Sequence, residues 1–245
     1  MRLFPKIAAV AVSATMAMFA MGCSSSETTS QDSTPGFEPQ AIEINESGFA
    51  VTDDGMLSYA FVAVNPNEGH VAQDVVFTIE AYDDNGSMIA GGGDSIPVLY
   101  PGVETAAAGE TELFSKDTST PKVARLSISA LLDSATWTDT SLTADDVENL
   151  VDIVNPRMSE NDNELNIKAS IVMNTGDDDT DGVSGNLELR AVALLSNAAG
   201  QAICGTEPVV FTLSSDSPDY DLTTLIVDAP DYEECNLYVT PNALV

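Results

Sequence analysis

The stretch that decides the fold is VVFTIEAYDDNGSMIAG, residues 75–91. Val75, Phe77, Ile79 and Ala81 alternate up to the turn Asp83-Asp84-Asn85-Gly86, and Ser87, Met88, Ile89, Ala90 and Gly91 follow. Side chains of a strand point to opposite faces at period 2, so this spacing predicts a β-hairpin with one buried face. Asn-Gly supplies the positive φ that a tight turn requires. The same design returns at LRAVALLSNAAGQAICG, residues 189–205, where Leu189, Ala191, Ala193 and Leu195 alternate up to Asn197-Ala198-Ala199-Gly200. Gly86 and Gly200 lie 114 residues apart.

Outward from these hairpins the match continues. Ala60, Val62 and Val64 alternate up to Asn65, as Ala169, Ile171 and Met173 do up to Asn174, and closing strands containing Leu126 and Leu237 lie 111 residues apart. A recurring order of strands and turns within one chain is a duplication. Each half is about a hundred residues of short strands with frequent turn signals, the pattern of a β-sandwich. The expected fold is therefore all-β, with two tandem immunoglobulin-like β-sandwich domains at residues 40–134 and 135–245. Between the halves Val147, Leu150, Val151 and Val154 follow helical spacing, and Thr143 with Asp146 forms a capping pair, which predicts a short helix over 143–152. The competing reading makes Leu150–Val154 the first strand of the second sandwich. Trp137, the single tryptophan, is expected to pack at the junction.

The amino terminus reads differently. Arg2 and Lys6 precede an apolar run from Ile7 to Met21 that is too short to span a bilayer, so residues 1–22 are expected to be a secretory signal. The ending Ala20-Met21-Gly22-Cys23 resembles the lipobox of bacterial lipoproteins. That resemblance implies cleavage after Gly22, a lipid on the Cys23 sulfur and acylation of the new amino terminus. Several acyl chains, at about 0.8 kcal/mol per buried methylene, hold a protein on a membrane essentially permanently. Residues 23–39 are then the lipidated cysteine and a Ser/Thr-rich tether. Its sixteen residues from Ser24 to Pro39 reach about 20–24 Å as a flexible coil. The expected location is the cell envelope, on the exported side of the membrane. The run Tyr59 to Asn65, the Tyr82-Asp83-Asp84-Asn85-Gly86 turn and Ala108-Gly109-Glu110-Thr111 before Phe114 resemble FxLYD-type immunoglobulin-like domains of bacterial surface lipoproteins. The resemblance implies fold and location and no activity.

Charge narrows the function. The chain carries 39 Asp+Glu against 8 Lys+Arg, a formal −31. Loss of residues 1–22 would leave 6 basic residues against the same 39, a formal −33. Such a field opposes nucleic acid, so none is expected as a partner. With one histidine, His70, three cysteines and no nucleophile motif, metal and acyl-transfer chemistry have little to stand on, and no enzyme is expected. One constellation carries chemistry. Asp177, Asp179, Asp181, Gly182 and Glu188 fit the Asp-x-Asp-x-Asp-Gly-x5-Glu spacing of a calcium loop, with the Val183 carbonyl at position seven. The alternative is a solvated acidic hairpin insertion, corresponding to Asn67-Glu68-Gly69-His70 in the first half. No cofactor other than this possible calcium is expected.

If Cys23 is acylated, Cys204 and Cys235 remain as an even pair in an oxidising compartment. The repeat maps them onto Ala90 and Ala124, and a disulfide between them is expected. The leading functional expectation is a lipid-anchored, non-catalytic binding or structural module whose partner is an envelope protein, a peptide or a glycan. A calcium-dependent adhesion or stalk protein and a secreted enzyme or inhibitor are the alternatives.

Overall fold

The computed structural model describes residues 37–52, 54–114, 122–161, 164–174 and 186–245. It is a nearly all-β protein of sandwich type. In the first half, β1 (Glu43–Val51), β2 (Met56–Val64) and β5 (Thr105–Glu112) form an antiparallel sheet ordered β1-β2-β5. Facing it, β3 (His70–Tyr82) pairs with β4 (Met88–Leu99) on one side, and with β6 (Arg125–Leu131) and then β7 (Thr136–Asp139) on the other. Inward alternation on β3 gives Val75, Phe77 and Ile79, fully buried with Phe61 of β2, and the Phe61 and Phe77 rings lie 4.9 Å apart.

The second half repeats this plan. β8 (Val151–Asn161), β9 (Glu164–Met173) and β13 (Asp219–Val227) form the sheet β13-β9-β8. Opposite it, β10 (Leu187–Ser196) pairs with β14 (Glu234–Pro241) on one side, and with β11 (Ala202–Gly205) and then β12 (Val209–Leu213) on the other. The interruption has changed sides. Where the first half has one long β4 and a split β6/β7, the second has a split β11/β12 and one long β14.

The two central hairpins agree bond for bond. Asp83 N donates to Ser87 O at 2.9 Å and Gly86 N to Asp83 O at 3.0 Å, matched by Asn197 N to Gln201 O at 3.0 Å and Gly200 N to Asn197 O at 2.9 Å. The Asp83 Oδ1 accepts from Asn85 N and Ser87 N, as the Asn197 Oδ1 accepts from Ala199 N and Gln201 N. Gly86 and Gly200 hold φ of 78° and 74°, where a side chain is strained. Both hairpins shift register at the same place, between Ala81 and Tyr82 and between Leu195 and Ser196.

The halves pack sheet on sheet. The outward faces of β2 and β5 (Ala60, Val62, Ala106, Ala108) meet the outward face of β10 and β11 (Val192, Leu194, Ala202), with Tyr238 packed alongside. Four sheets are thus stacked, and the middle two are buried on both faces. Small residues permit the approach. A Cβ on Gly48 would run into the Ala202 carbonyl oxygen, and one on Gly205 would lie 2.6 Å from the Ala108 Cβ and 2.7 Å from the Ala193 oxygen. At one end, Tyr100 and Val103 of the first half join Val147, Leu150, Ile171 and Leu189 in a single apolar cluster.

Three expectations are corrected. The domain boundary at 134/135 falls inside the first sandwich, because β7 pairs with β3, His70 opposite Asp139 and Gln73 opposite Thr136. The helix predicted over 143–152 shortens to α1 (Ala144–Glu148), with Thr143 and Asp146 forming the expected capping box, and Val151 already belongs to β8. Cys204 and Cys235 are free, buried thiols and form no disulfide. Both stand opposite Leu195, one on each side of β10. Two strand spacings of about 4.8 Å each separate them, beyond the roughly 4.4–6.8 Å Cα separation of a disulfide. The register confirms that Cys204 corresponds to Ala90, since Ala81 stands opposite Ala90 as Leu195 stands opposite Cys204. Cys235 corresponds to Leu126, not Ala124, which removes the pairing of small residues that suggested a bridge.

Candidate functional site

The described chain begins at a cleft. Asn65, fully buried at the end of β2, donates through Nδ2 to His70 O (2.7 Å) and Leu99 O (3.0 Å), while its Oδ1 accepts from the Asn67 backbone and side chain, each at 2.9 Å. The Asn67 Oδ1 accepts from Gln40 N at 2.7 Å, and its Nδ2 donates to Gln40 O at 3.1 Å. A side-chain amide used in this way replaces one strand partner, so this pair of asparagines fixes the segment before β1 without a sheet bond. An open cleft of about 530 Å³ results, lined by Phe37, Glu38, Gln40, Pro66, Asn67, Glu68 and His70.

The cleft has an aromatic wall and acidic rims. The Phe37 ring stacks on the His70 imidazole at 3.8 Å and 12°, and meets Trp137 edge-on at 5.4 Å. His70 Nδ1 lies 3.0 Å from the Glu68 carbonyl oxygen and Nε2 lies 3.3 Å from Asp139 Oδ1. Both neighbours are acceptors, so a neutral ring donates to one of them only and the imidazolium to both. Among the described residues, the cleft lining is an aromatic and polar surface able to contact a ligand.

A second polar group lies between the sandwiches. Arg190 of β10 is 2% exposed, and its Nη1 has no hydrogen-bond partner among the described residues. Burial holds its guanidinium below the ordinary range, opposed by the charge of Asp94 on β4. Asp94 itself is pushed up by burial, against a hydrogen bond from Ser95 N and the Arg190 charge. The Tyr59 hydroxyl donates to Asp94 Oδ2 at 3.4 Å and passes so close to Gly109 that a Cβ there would lie 2.6 Å from it. Burial first, then Asp94, raises the Tyr59 hydroxyl far above its ordinary range. At the other end of β10 the Ser196 hydroxyl donates to Glu46 Oε1 of β1 at 3.0 Å. Of these contacts, the Ser196–Glu46 hydrogen bond crosses from one half to the other, and Arg190 and Asp94 interact by charge between the same halves.

Of the residues singled out from sequence, Cys23, Asp177, Asp179, Asp181 and Val183 lie outside the described residues. Glu188 sits on β10 opposite Thr212, where its carboxylate accepts from Asn242 Nδ2 at 2.6 Å and its backbone oxygen accepts from Asn242 N at 2.9 Å. It therefore fastens the carboxyl-terminal segment to β10. Cys235 is buried with its thiol pushed up to about 12, and burial likewise raises Cys204, partly offset by a hydrogen bond with Ser58 of β2. Neither is an activated nucleophile. Sequence reasoning passed over Phe37, placed within the tether, and Arg190, whose signal was a lone charge inside an apolar run. No protein-family model matches the chain, and no curated protein matches it.

Proposed function

We propose that the chain is a lipid-anchored lipoprotein of the cell envelope whose two immunoglobulin-like sandwiches act as a non-catalytic binding or structural module. The observation that carries this reading is the stacking of four sheets into one body whose acidic, aromatic-walled cleft stands at the end where the tether joins. An anchor of acyl chains on Cys23, joined through the Ser/Thr-rich segment to a preformed domain, makes a module held at the membrane. A cleft with an aromatic wall and acidic rims suits recognition of a peptide, a glycan or another envelope protein. Mass spectrometry of the amino-terminal peptide tests the anchor: acylated Cys23 as the first residue is expected, and an unmodified Cys23 or cleavage elsewhere contradicts it. Capture from detergent-solubilised envelope with the ectodomain as bait tests the binding role. Partners retained by the native protein and lost by Phe37→Ala with His70→Ala are expected. Equal capture by both forms contradicts a role for the cleft.

A further inference from the structure

Two Asn-x-Ser triplets occur in the sequence, Asn45-Glu46-Ser47 and Asn85-Gly86-Ser87, and each carries a carboxylate two residues upstream, Glu43 and Asp83. Asn-x-Ser/Thr is the acceptor triplet for N-linked glycosylation, a modification of surface loops in exported proteins. The structure treats the two triplets differently. Asn85 lies at the exposed tip of the β3–β4 hairpin, with its side-chain amide beside the Asp83 carboxylate and both Asn85 and Ser87 open to solvent. Asp83 shapes this tip, its Oδ1 accepting 2.8 Å bonds from both Asn85 N and Ser87 N, and these bonds hold its carboxyl below the ordinary range. Asn45 is also exposed, but it is the unpaired residue at a register shift inside β1, with Ile44 and Glu46 bonded in register to β2 on either side.

We infer that Asn85 is a glycosylation acceptor of the folded protein, and that Asn45 is withheld from the transferase by its strand. In the step, the Asn85 Nδ2 forms a C–N bond to the anomeric carbon of a lipid-diphosphate-linked oligosaccharide. The C–O bond to the diphosphate breaks, the lipid diphosphate departs with the electron pair, and the amide proton passes to a base of the transferase. The second hairpin is an internal control. It has the same backbone bonds, but Ala199 stands at the place of Asn85 and Gln201 at that of Ser87. A glycan at Asn85 would project from the hairpin tip into solvent, clear of the sheet–sheet seam.

This inference rests on the export reading above, and the experiment separates the two. The full-length protein is purified from its own envelope and digested, and the peptides carrying Cys23, Asn45, Asn85 and Asn197 are analysed by tandem mass spectrometry. Acylated Cys23 with a saccharide mass and carbohydrate fragment ions on the Asn85 peptide alone is expected. Ser87→Thr should keep the modification, whereas Ser87→Ala and Asn85→Gln should abolish it with an unchanged melting temperature. A bare Asn85 on a chain with acylated Cys23 overturns the inference and leaves export standing. Sugar on Asn45 with Asn85 bare also overturns it, and an unprocessed amino terminus removes both readings.

Discussion

The middle two sheets and the outer two sheets of the stack are built from the same repeat and read very differently. On β3 and β9, in the outer sheets, buried and partly exposed positions alternate, whereas on β2 nearly every residue is buried and on β10 only Glu188 is exposed. The reason is topological. In the first half the covered sheet is β1-β2-β5, but in the second it is the sheet of β10, the counterpart of β3. The halves therefore meet through unlike surfaces, head to tail, and such a contact leaves one unmatched face at each end. Those end faces carry Thr78 bonded to Ser129, Arg125 over the Tyr82 ring at 4.1 Å, and Ser170 bonded to Asp221. Polar outer faces of this kind stop a stack of repeats from continuing.

The sharpest way to break the contrast is to place a charge in each kind of sheet. Val192→Lys, 1% exposed in the seam, should lose about 3–5 kcal/mol in chemical unfolding, the cost of an uncompensated buried charge. Leu225→Lys, 46% exposed on β13, should stay within about 0.5 kcal/mol. Similar losses at both sites would mean that the seam is not buried in solution.

Glycines sharpen it further. Gly205→Ala forces a methyl against Ala108 and the Ala193 carbonyl and should cost about 1–3 kcal/mol through overpacking. Gly200→Ala meets nothing within 4 Å but keeps a φ of 74°, so about 1–2 kcal/mol of backbone strain is the whole effect. A smaller effect concerns pH. Because Asp94 is pushed up in the folded chain, mainly by burial, the folded state holds that proton more tightly than the unfolded one. Its contribution favours folding at acid pH and is lost as pH rises through the folded-state value. Asp94→Asn should therefore lose this stabilisation, its melting temperature relative to the native protein being lowest at acid pH and rising with pH, and a parallel profile would contradict this. The smallest expected effect is none: reductant should leave the melting temperature unchanged, and the unfolded, unreduced ectodomain beginning at Ser24 should titrate two thiols. A bridge would instead stabilise by about 3.5–4 kcal/mol.

Much of this was legible in the residues, for reasons that are local. Asp83-Asp84-Asn85-Gly86 and Asn197-Ala198-Ala199-Gly200 mark their turns through backbone requirements that no neighbour can alter, and Thr143 with Asp146 announces a helix start the same way. The seam was not legible, because burial on both faces erases the alternation that reveals a strand's inner side, and because Gly48, Ala108 and Gly205 read as weak strand residues rather than as contacts. The cysteines were misjudged for a related reason. The sequence repeat matches Cys204 correctly to Ala90 but Cys235 to Ala124 in place of Leu126, and only the register shows that Leu195 stands between the two cysteines. At the cleft, Phe37 carries no periodic signal of its own and gains meaning only from its stack on His70.

The central claim is that the seam joins two sandwiches into one cooperative body, and differential scanning calorimetry of the ectodomain from Ser24 to Val245 tests it most directly. A single transition is predicted, with calorimetric and van't Hoff enthalpies equal. Two resolved transitions, or a van't Hoff enthalpy near half the calorimetric one, would contradict it.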